Sequence, residues 1–385
     1  MTIRAILATA VVVCTLPLAA RADQRDVELK TPDGTRLKAT YFAAAKPGPG
    51  VVLLHMCNSQ RKAWAALGAQ LAKQGIHAVA LDYRGYGESG GTPVADLAPP
   101  DRQRISQQDW PGDIDAAFDY LVSQPGVDRS RIGAAGGSCG VDNAIQLARR
   151  HPEVKTLVLL AGGTNAAGEQ FLSQSPWLPI FASAAHDDGR AVDGMRWLLG
   201  FSSGTGNEFK EYQTGGHGTD MFSAHKDLEP AIAAWFERHL VNPPPRATTT
   251  SAALPGPSVK MAATLRAPGG GARILADLKT ANKASKTMRV APESVINAIG
   301  YELLQGGRSV DAIGIFELNV EAYPGSANTF DSLSDGYLAA GDKAKALEFA
   351  RKALAALPAD TSVPVEFKQQ IRESAEGKIR QLGGS

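Results

Sequence analysis

Ser138 stands in a glycine-rich turn between an apolar strand pattern and an amphipathic helix pattern. Gly136, Ser138 and Gly140 match G-x-S-x-G, in which a sharp strand-to-helix turn exposes the serine hydroxyl. A chain with 40 glycines produces this short pattern by chance, so its place between a strand and a helix is what gives it weight. The residue types and their spacing predict a nucleophilic serine.

A serine hydroxyl is a poor nucleophile at neutral pH, and it needs a histidine base that a carboxylate orients. Of the seven histidines in the chain, His217 lies in a polar, glycine-rich loop after a strand pattern at residues 208–212. Glycine on both sides of it lets the backbone fold tightly over a reactive centre. We predict that His217 is the base, and we interpret His186 as structural or exposed.

The carboxylate should follow another strand between the serine and the histidine. An apolar strand pattern over residues 178–183 leads into two candidates, Asp187 and Asp188. We favour Asp188, because Gly189 after it permits the tight turn that would aim the carboxylate. Asp187 remains the alternative acid.

Together these features resemble the α/β-hydrolase superfamily, and within it the lidless branch typified by dienelactone hydrolase-like enzymes. The chain order serine, acid, histidine is the order of that superfamily, and the resemblance covers residues 25–241. It implies an α/β fold, with a mostly parallel sheet and helices on both faces. It also implies a serine hydrolase that cleaves an ester or related acyl bond of a small molecule through an acyl-enzyme. A peptide bond is the less favoured substrate.

The resemblance further implies two backbone N–H donors for the oxyanion that forms during acyl transfer. One donor follows the nucleophile and is the N–H of Cys139. The other lies in the loop after an apolar strand, where residues 55–58 match the family pattern His-Gly-x-x. We expect the N–H of Cys57 there, with Met56 as the alternative, since Met56 replaces the usual glycine.

The site is expected to be open. Only about fifteen residues, 164–178, separate the strand after the elbow from the acid strand, which is too few for a helical lid. We expect Phe171, Trp177 and Phe222 to line the site, which would suit small or exposed substrates better than long buried acyl chains.

Composition and motifs exclude several classes of function. The 40 basic and 39 acidic residues leave a net charge of +1, which gives no reason to expect nucleic acid as a partner. His-Glu-x-x-His, paired Cys-x-x-Cys and P-loop motifs do not occur in the sequence. We therefore expect neither a metal nor a cofactor.

The N-terminus has the pattern of a secretory signal peptide over residues 1–22. It has a basic start, a short apolar core and a small-x-small cleavage site before Asp23. The apolar stretch is shorter than the ~20 residues that span a bilayer, so we expect no stable membrane span in the mature chain. We predict a protein of the periplasm or the extracellular space.

Two cysteines remain after removal of that segment, Cys57 and Cys139, and both lie in the expected oxyanion loops. In an oxidising compartment two thiols can form a disulfide. The alternative is that two small residues pack near each other, since a buried cysteine behaves as a small apolar side chain. The sequence leaves both interpretations open.

The chain changes character after the hydrolase-like residues 23–241. Residues 242–271 are rich in Pro, Thr and Gly and are interpreted as a linker, and residues 272–385 return to helical periodicity. Three residue pairs are each separated by 34 residues, the tetratricopeptide period: Gly307 and Gly341, Ala312 and Ala346, Pro324 and Pro358. Such helices bind a peptide or protein partner, or only pack on the first domain. The alternative function is therefore a catalytically silent scaffold whose helical repeats bind a partner.

Overall fold

The computed structural model describes residues 23–204, 206–244, 256–284, 290–362 and 365–383. The predicted signal peptide, residues 1–22, lies outside the described residues. Over the described part of the chain, every helix is too short or too polar to cross a membrane.

Eight strands form one sheet in the order β1-β2-β4-β3-β5-β6-β7-β8. Strands β1 and β2 form an antiparallel hairpin, β2 is antiparallel to β4, and all other neighbours are parallel. Strand β3 is buried along its whole length, as expected for a parallel strand covered on both faces. The predicted mostly parallel sheet is confirmed. The strands are β1 (Asp23–Lys30), β2 (Arg36–Ala43), β3 (Gly48–Leu54), β4 (His77–Leu81), β5 (Val127–Gly137), β6 (Val154–Leu160), β7 (Ile180–Ala185) and β8 (Glu208–Tyr212).

Helices cover both faces of this sheet and close an apolar core on each. On one face α3, α4 and α6 pack through side chains such as Ile114 and Phe118. On the other face α1 and α8 pack through side chains such as Leu67 and Trp235. A π-helical turn, Ile105–Asp109, joins α2 to α3. The helices are α1 (Ala65–Lys73), α2 (Pro99–Arg104), α3 (Trp110–Ser123), α4 (Cys139–Arg150), α5 (Ala166–Ser173), α6 (Ala191–Leu199), α7 (Met221–Ala224) and α8 (Leu228–Phe236).

The remaining elements are all helical. Helices α11 and α12 pack as one pair, and α13 and α14 pack as the next. Gly307 and Gly341 follow the ends of α11 and α13, so the 34-residue interval separates matching positions in the two pairs. We call these helices the helical region: α9 (Pro257–Arg266), α10 (Gly270–Ala284), α11 (Glu293–Gln305), α12 (Ser309–Ala322), α13 (Ala327–Ala339), α14 (Lys343–Ala356) and α15 (Val365–Gly383).

The structure differs from the linker interpretation of residues 242–271. Helix α9 lies inside that range, and α10 begins at Gly270. The apolar residues of α9 recur at helical spacing, and they pack in two directions: Ala262 joins the sheet core and Leu265 joins the core of the helical region. This short amphipathic helix was not predicted because Pro and Gly residues, which are typical of a linker, surround it in the sequence.

A buried ion pair holds the loop that follows β3. Arg61 begins a single 3₁₀ turn after this loop, and its side chain is fully buried. Its guanidinium pairs with the buried carboxylate of Asp82 at the end of β4, and its backbone N–H donates to Asp82 Oδ1 at 2.6 Å. The loop is thereby fixed to the end of the neighbouring strand.

Replacement of Arg61 by Ala should destabilise the fold strongly, because it leaves the Asp82 carboxylate buried without its cation. We expect a loss of about 3–5 kcal/mol in the free energy of unfolding, measured by urea denaturation. Lys62→Ala removes an adjacent, largely exposed cation that pairs with Glu88, and should cost no more than about 1 kcal/mol. Equal effects of the two changes would contradict this assignment.

Candidate active site

Ser138 lies at the turn between β5 and α4 in a strained backbone conformation. Its φ is 53° and its ψ is −121°, and a residue with a side chain in such a region costs about 1–3 kcal/mol. Its N–H donates to Leu160 O at 2.9 Å. A Cβ on Gly136 would lie 1.9 Å from the carbonyl oxygen of Gly140, so the motif glycine at 136 is required by close packing. The turn places Ser138 at the carboxyl edge of the sheet, directly after β5.

His217 and Asp188 meet on adjacent loops at the same edge of the sheet. The imidazole Nδ1 lies 2.6 Å from Asp188 Oδ2. The two residues follow β8 and β7, which are neighbouring parallel strands. The hydrogen bond to Asp188 is the main cause that raises the pKa of His217 above its usual 6.5, and the charge of Asp220 adds to it. This is the pairing that orients a histidine base and stabilises its protonated form.

Asp187 has a different role from its neighbour. Its carboxylate accepts the backbone N–H groups of Gly215 at 2.9 Å and Gly216 at 3.1 Å. Asp187 therefore stabilises the turn before His217 by binding its backbone, whereas Asp188 contacts the imidazole itself. The structure thus places the favoured acid against the imidazole, and the alternative acid against the backbone.

The loop that carries His217 lies directly on the serine turn. Gly218 has a φ of +54°, and a Cβ there would lie 2.3 Å from Met56 Sδ and 3.6 Å from the backbone nitrogen of Ser138. The described residues offer the Ser138 hydroxyl no hydrogen-bond partner, and no bond joins it to His217. In enzymes without substrate such bonds are often long, and they tighten as the reacting complex forms.

Cys57 and Cys139 form a disulfide, with their Cα atoms 5.8 Å apart. The bond joins the loop after β3 to the first residue of α4, the two segments expected to supply the oxyanion donors. Among the described residues, neither backbone N–H donates to a loop carbonyl. The side chain of Met56 contacts the loop that follows His217, where its Sδ accepts the N–H of Thr219 at 3.3 Å.

His55 is a buried residue whose role the sequence did not indicate. Its Nε2 accepts the backbone N–H of Tyr83 at 3.2 Å, so Nδ1 carries the proton and donates to Met56 O at 2.6 Å. Burial lowers the pKa of His55 to about 4, which keeps the ring neutral. The imidazole holds the loop after β3 in shape.

A cleft of about 1290 Å³ opens beside the disulfide and extends along α4. Its far wall comes from α2 and the π-helical turn in the connection between β4 and α3. The residues that line this cleft include neither Phe171, Trp177 and Phe222 nor Ser138, Asp188 and His217. Phe171 and Phe222 pack against the two sheet cores instead. The Pro-Pro-Asp run at 99–101, typical of a helix start, is the sequence signal for this wall.

Many of the side chains that line the cleft are polar. Arg102 and Arg149 line it without a carboxylate partner in the described residues, because Arg102 donates to backbone carbonyls and Arg149 to Gln146. The buried indole Nε1 of Trp110 has no hydrogen-bond acceptor within the described residues. Side-chain amides make up much of the remaining lining: Asn58, Gln60, Gln103, Gln107, Asn143, Gln146 and Asn165. Such a surface suits ligands that carry hydrogen-bonding or anionic groups.

The described residues contain no group of three or more His, Cys, Asp or Glu side chains that could hold a metal ion.

Comparison with known proteins gives one matching family. Residues 45–188 match a family model described as serine aminopeptidase, S33. The matched segment contains Ser138, Asp188 and both disulfide cysteines, and it ends before His217. Together with the sheet order, the match identifies the α/β-hydrolase fold.

Two relatives illustrate the similarity in sequence. An uncharacterized protein of Mycobacterium tuberculosis (strain ATCC 25618 / H37Rv) is 35% identical over 159 residues, which are 40% of this chain and 51% of that protein. The thiohydrolase aneE of Aspergillus aculeatus is 32% identical over 136 residues, 34% of this chain and 40% of that protein. The chain therefore spans about half the length, or less, of these curated relatives.

Solved structures with similar architecture include an esterase of Pyrococcus furiosus. It is 18% identical, covers 60% of this chain and 95% of its own, and has a TM-score of 0.44. A dienelactone hydrolase-like promiscuous phosphotriesterase, P91, from metagenomic libraries is 19% identical, covers 57% of this chain and 100% of its own, and has a TM-score of 0.46.

Replacement of Asp188 by Asn should lower the pKa of His217, because the acceptor that raises it loses its charge. Histidine proton resonances followed by NMR titration would show this without any substrate. Asp187→Asn should leave the pKa of His217 nearly unchanged, since that carboxylate contacts Gly215 and Gly216. A larger shift in the Asp187 variant would reverse the assignment of the two aspartates.

Reduction of the disulfide should slow reaction at Ser138, because the two N–H carriers are then no longer tied together. We expect a decrease of up to about 10²–10³-fold, the cost of losing one oxyanion donor. The readout is the rate at which a fluorophosphonate labels Ser138 before and after dithiothreitol. A Cys57→Ala/Cys139→Ala variant provides the control, and its labelling should not respond to reductant. Equal rates in oxidised and reduced wild type would show that the bond plays no part in the site.

Proposed function

We propose that this protein is a serine hydrolase that cleaves an ester or a related acyl bond. One observation carries the proposal. Ser138 is held in a strained turn at the sheet edge, where the adjacent loops bring His217 within 2.6 Å of Asp188. Strained backbone conformations such as that of Ser138 cluster at active sites, which supports a functional role for this residue.

In the proposed mechanism Ser138 Oγ attacks the acyl carbon while His217 accepts its proton. Asp188 keeps the imidazole in the correct tautomer and stabilises the imidazolium. The N–H groups of Cys57 and Cys139 bind the oxyanion of the tetrahedral intermediate. His217 then returns the proton to the leaving group, and a water molecule hydrolyses the acyl-enzyme by the same route.

The mechanism sets the sign of the pH dependence. His217 acts as a base only when its imidazole is neutral, and the pKa of this group is raised above its usual 6.5. The rate should therefore rise with pH through that raised pKa, and it should fall as the pH drops below it.

We base the proposed substrate class on the cleft beside the disulfide and on the relatives. Amide and arginine side chains favour a polar acyl or alcohol part over a long aliphatic chain. One relative is named a thiohydrolase, and the matched family model is described as serine aminopeptidase. A substrate screen should therefore include thioesters and aminoacyl amides as well as esters. Within this set we favour esters with short or polar acyl groups.

We also propose export to the periplasm or the extracellular space, with removal of residues 1–22. The disulfide supports this location, because such bonds persist mainly in oxidising compartments. For the helical region we propose a tetratricopeptide-like arrangement, supported by the 34-residue interval between its helix pairs.

The proposal is tested by the intact mass of the exported protein after exposure to a fluorophosphonate. We expect one adduct on the wild type, none on Ser138→Ala, and a mass that corresponds to a chain beginning near Asp23. Ser130→Ala, which changes an exposed serine near the start of β5, is a control that should still be labelled. A folded wild type that forms no adduct would contradict the hydrolase proposal and favour a scaffold whose helical region binds a partner.

A further inference from the structure

The loop that carries Asp188 is short and lies against the helical region. It joins β7 to α6, and its internal hydrogen bonds run from Asp188 N to Ala185 O at 3.3 Å and from Ala191 N to Asp188 O at 3.0 Å. On its outer side, a Cβ on Gly189 would lie 3.2 Å from Ser362 O, which belongs to the segment after α14. Asp188, which contacts the imidazole, therefore lies in a loop between the sheet and the segment after α14.

Arg190, two residues after Asp188, contacts the helical region directly. Its guanidinium forms an ion pair with Glu293, the first residue of α11, and lies 4.0 Å from the ring centroid of Tyr323. A guanidinium that meets a carboxylate and an aromatic face together is confined in both position and orientation.

Hydrogen bonds within the helical region fix the position of the Glu293 carboxylate. Its side chain is only 8% exposed, and its Oε1 accepts Ser326 Oγ at 2.8 Å and Asn328 Nδ2 at 3.2 Å. The Tyr323 hydroxyl donates to Ala291 O at 3.0 Å, which fixes the ring beside it. Glu293 and Tyr323, from two segments of the helical region, thus contact one arginine of the first domain.

We propose that the helical region positions the catalytic acid, with Arg190 and Glu293 as positioning residues that hold the Asp188 loop against His217. The inference rests on the proposed function. It gives the helical region a role in the hydrolytic reaction that does not depend on any partner. Because Arg190 follows Asp188 so closely, displacement of the guanidinium moves the loop and lengthens the 2.6 Å contact to the imidazole.

A second ion pair across the same boundary provides a matched control. Arg266 at the end of α9 pairs with the buried carboxylate of Glu169 on α5 and also with Glu302. Neither carboxylate lies in the Asp188 loop. Glu169→Gln and Glu293→Gln therefore make the same chemical change in the same interface, but only Glu293 pairs with an arginine of the Asp188 loop.

The test compares Glu293→Gln with Glu169→Gln in the full chain. The amide at 293 still accepts from Ser326 and Asn328 but no longer attracts Arg190 as an ion. We expect kcat for a short ester to fall roughly tenfold to a hundredfold, with KM nearly unchanged, since a displacement of about 1 Å has that effect. Glu169→Gln should leave kcat close to the wild-type value.

The pKa of His217 provides a readout that a purely structural role would not change. The charges that act on this imidazole in the described residues are Asp188, from the adjoining loop, and Asp220, from the 3₁₀ turn after it. Loss of the contact to Asp188 should lower the pKa of His217 in Glu293→Gln, measured by NMR titration, and Glu169→Gln should not lower it. Arg190→Gln, a change at a more exposed side chain, replaces Glu293→Gln if that variant does not fold.

The outcomes separate the two proposals. If the wild type hydrolyses esters and the two Gln variants behave alike, the positioning role is wrong and the hydrolase proposal stands. If the wild type neither hydrolyses esters nor reacts with a fluorophosphonate, the hydrolase proposal fails. The titration of His217 then still decides whether Glu293 controls the loop.

Discussion

The backbone of Ser138 holds a conformation that residues with side chains rarely adopt, and its surroundings are packed too closely for it to relax. A Cβ on Gly162 would lie 2.3 Å from Ser138 O, and one on Gly140 would lie 2.5 Å from Leu54 O. The elbow is therefore enclosed by the ends of β3 and β6, the strands on either side of β5 in the sheet. This packing offsets the strain of about 1–3 kcal/mol.

Every other component of the site reaches the same edge because the strands are parallel. Loops after β3, β5, β7 and β8 carry Cys57, Ser138, Asp188 and His217, and the carboxyl ends of parallel strands meet at one edge. Two contacts then link these loops in pairs. The disulfide joins the loops after β3 and β5, and the Asp188 hydrogen bond joins the loops after β7 and β8. The helical region adds an outer support through Arg190.

The strands and the order of the site residues could be predicted because each depends on a local pattern. Strand β8 has the bounds that the strand pattern at residues 208–212 indicates, and Ser138 lies at the expected junction of strand and helix. The wall of the cleft was not predicted, because the proline-rich segment before α3 resembles a loop. Helix α9 was missed for a similar reason, since its apolar residues have meaning only once two cores are present to receive them.

The sequence by itself determined the α/β order of elements, the glycine turn at Ser138 and the pair of aspartates before His217. These features depend on neighbours within a few residues, which a linear pattern contains. Only the tertiary structure decided which aspartate contacts the imidazole, that Cys57 and Cys139 are bonded, and that Arg190 meets Glu293. Each of these outcomes depends on the direction in which a turn points or on the distance between segments far apart in the chain. Such distances are set by the packing of helices on the sheet, and adjacent residues such as Asp187 and Asp188 cannot be distinguished without it.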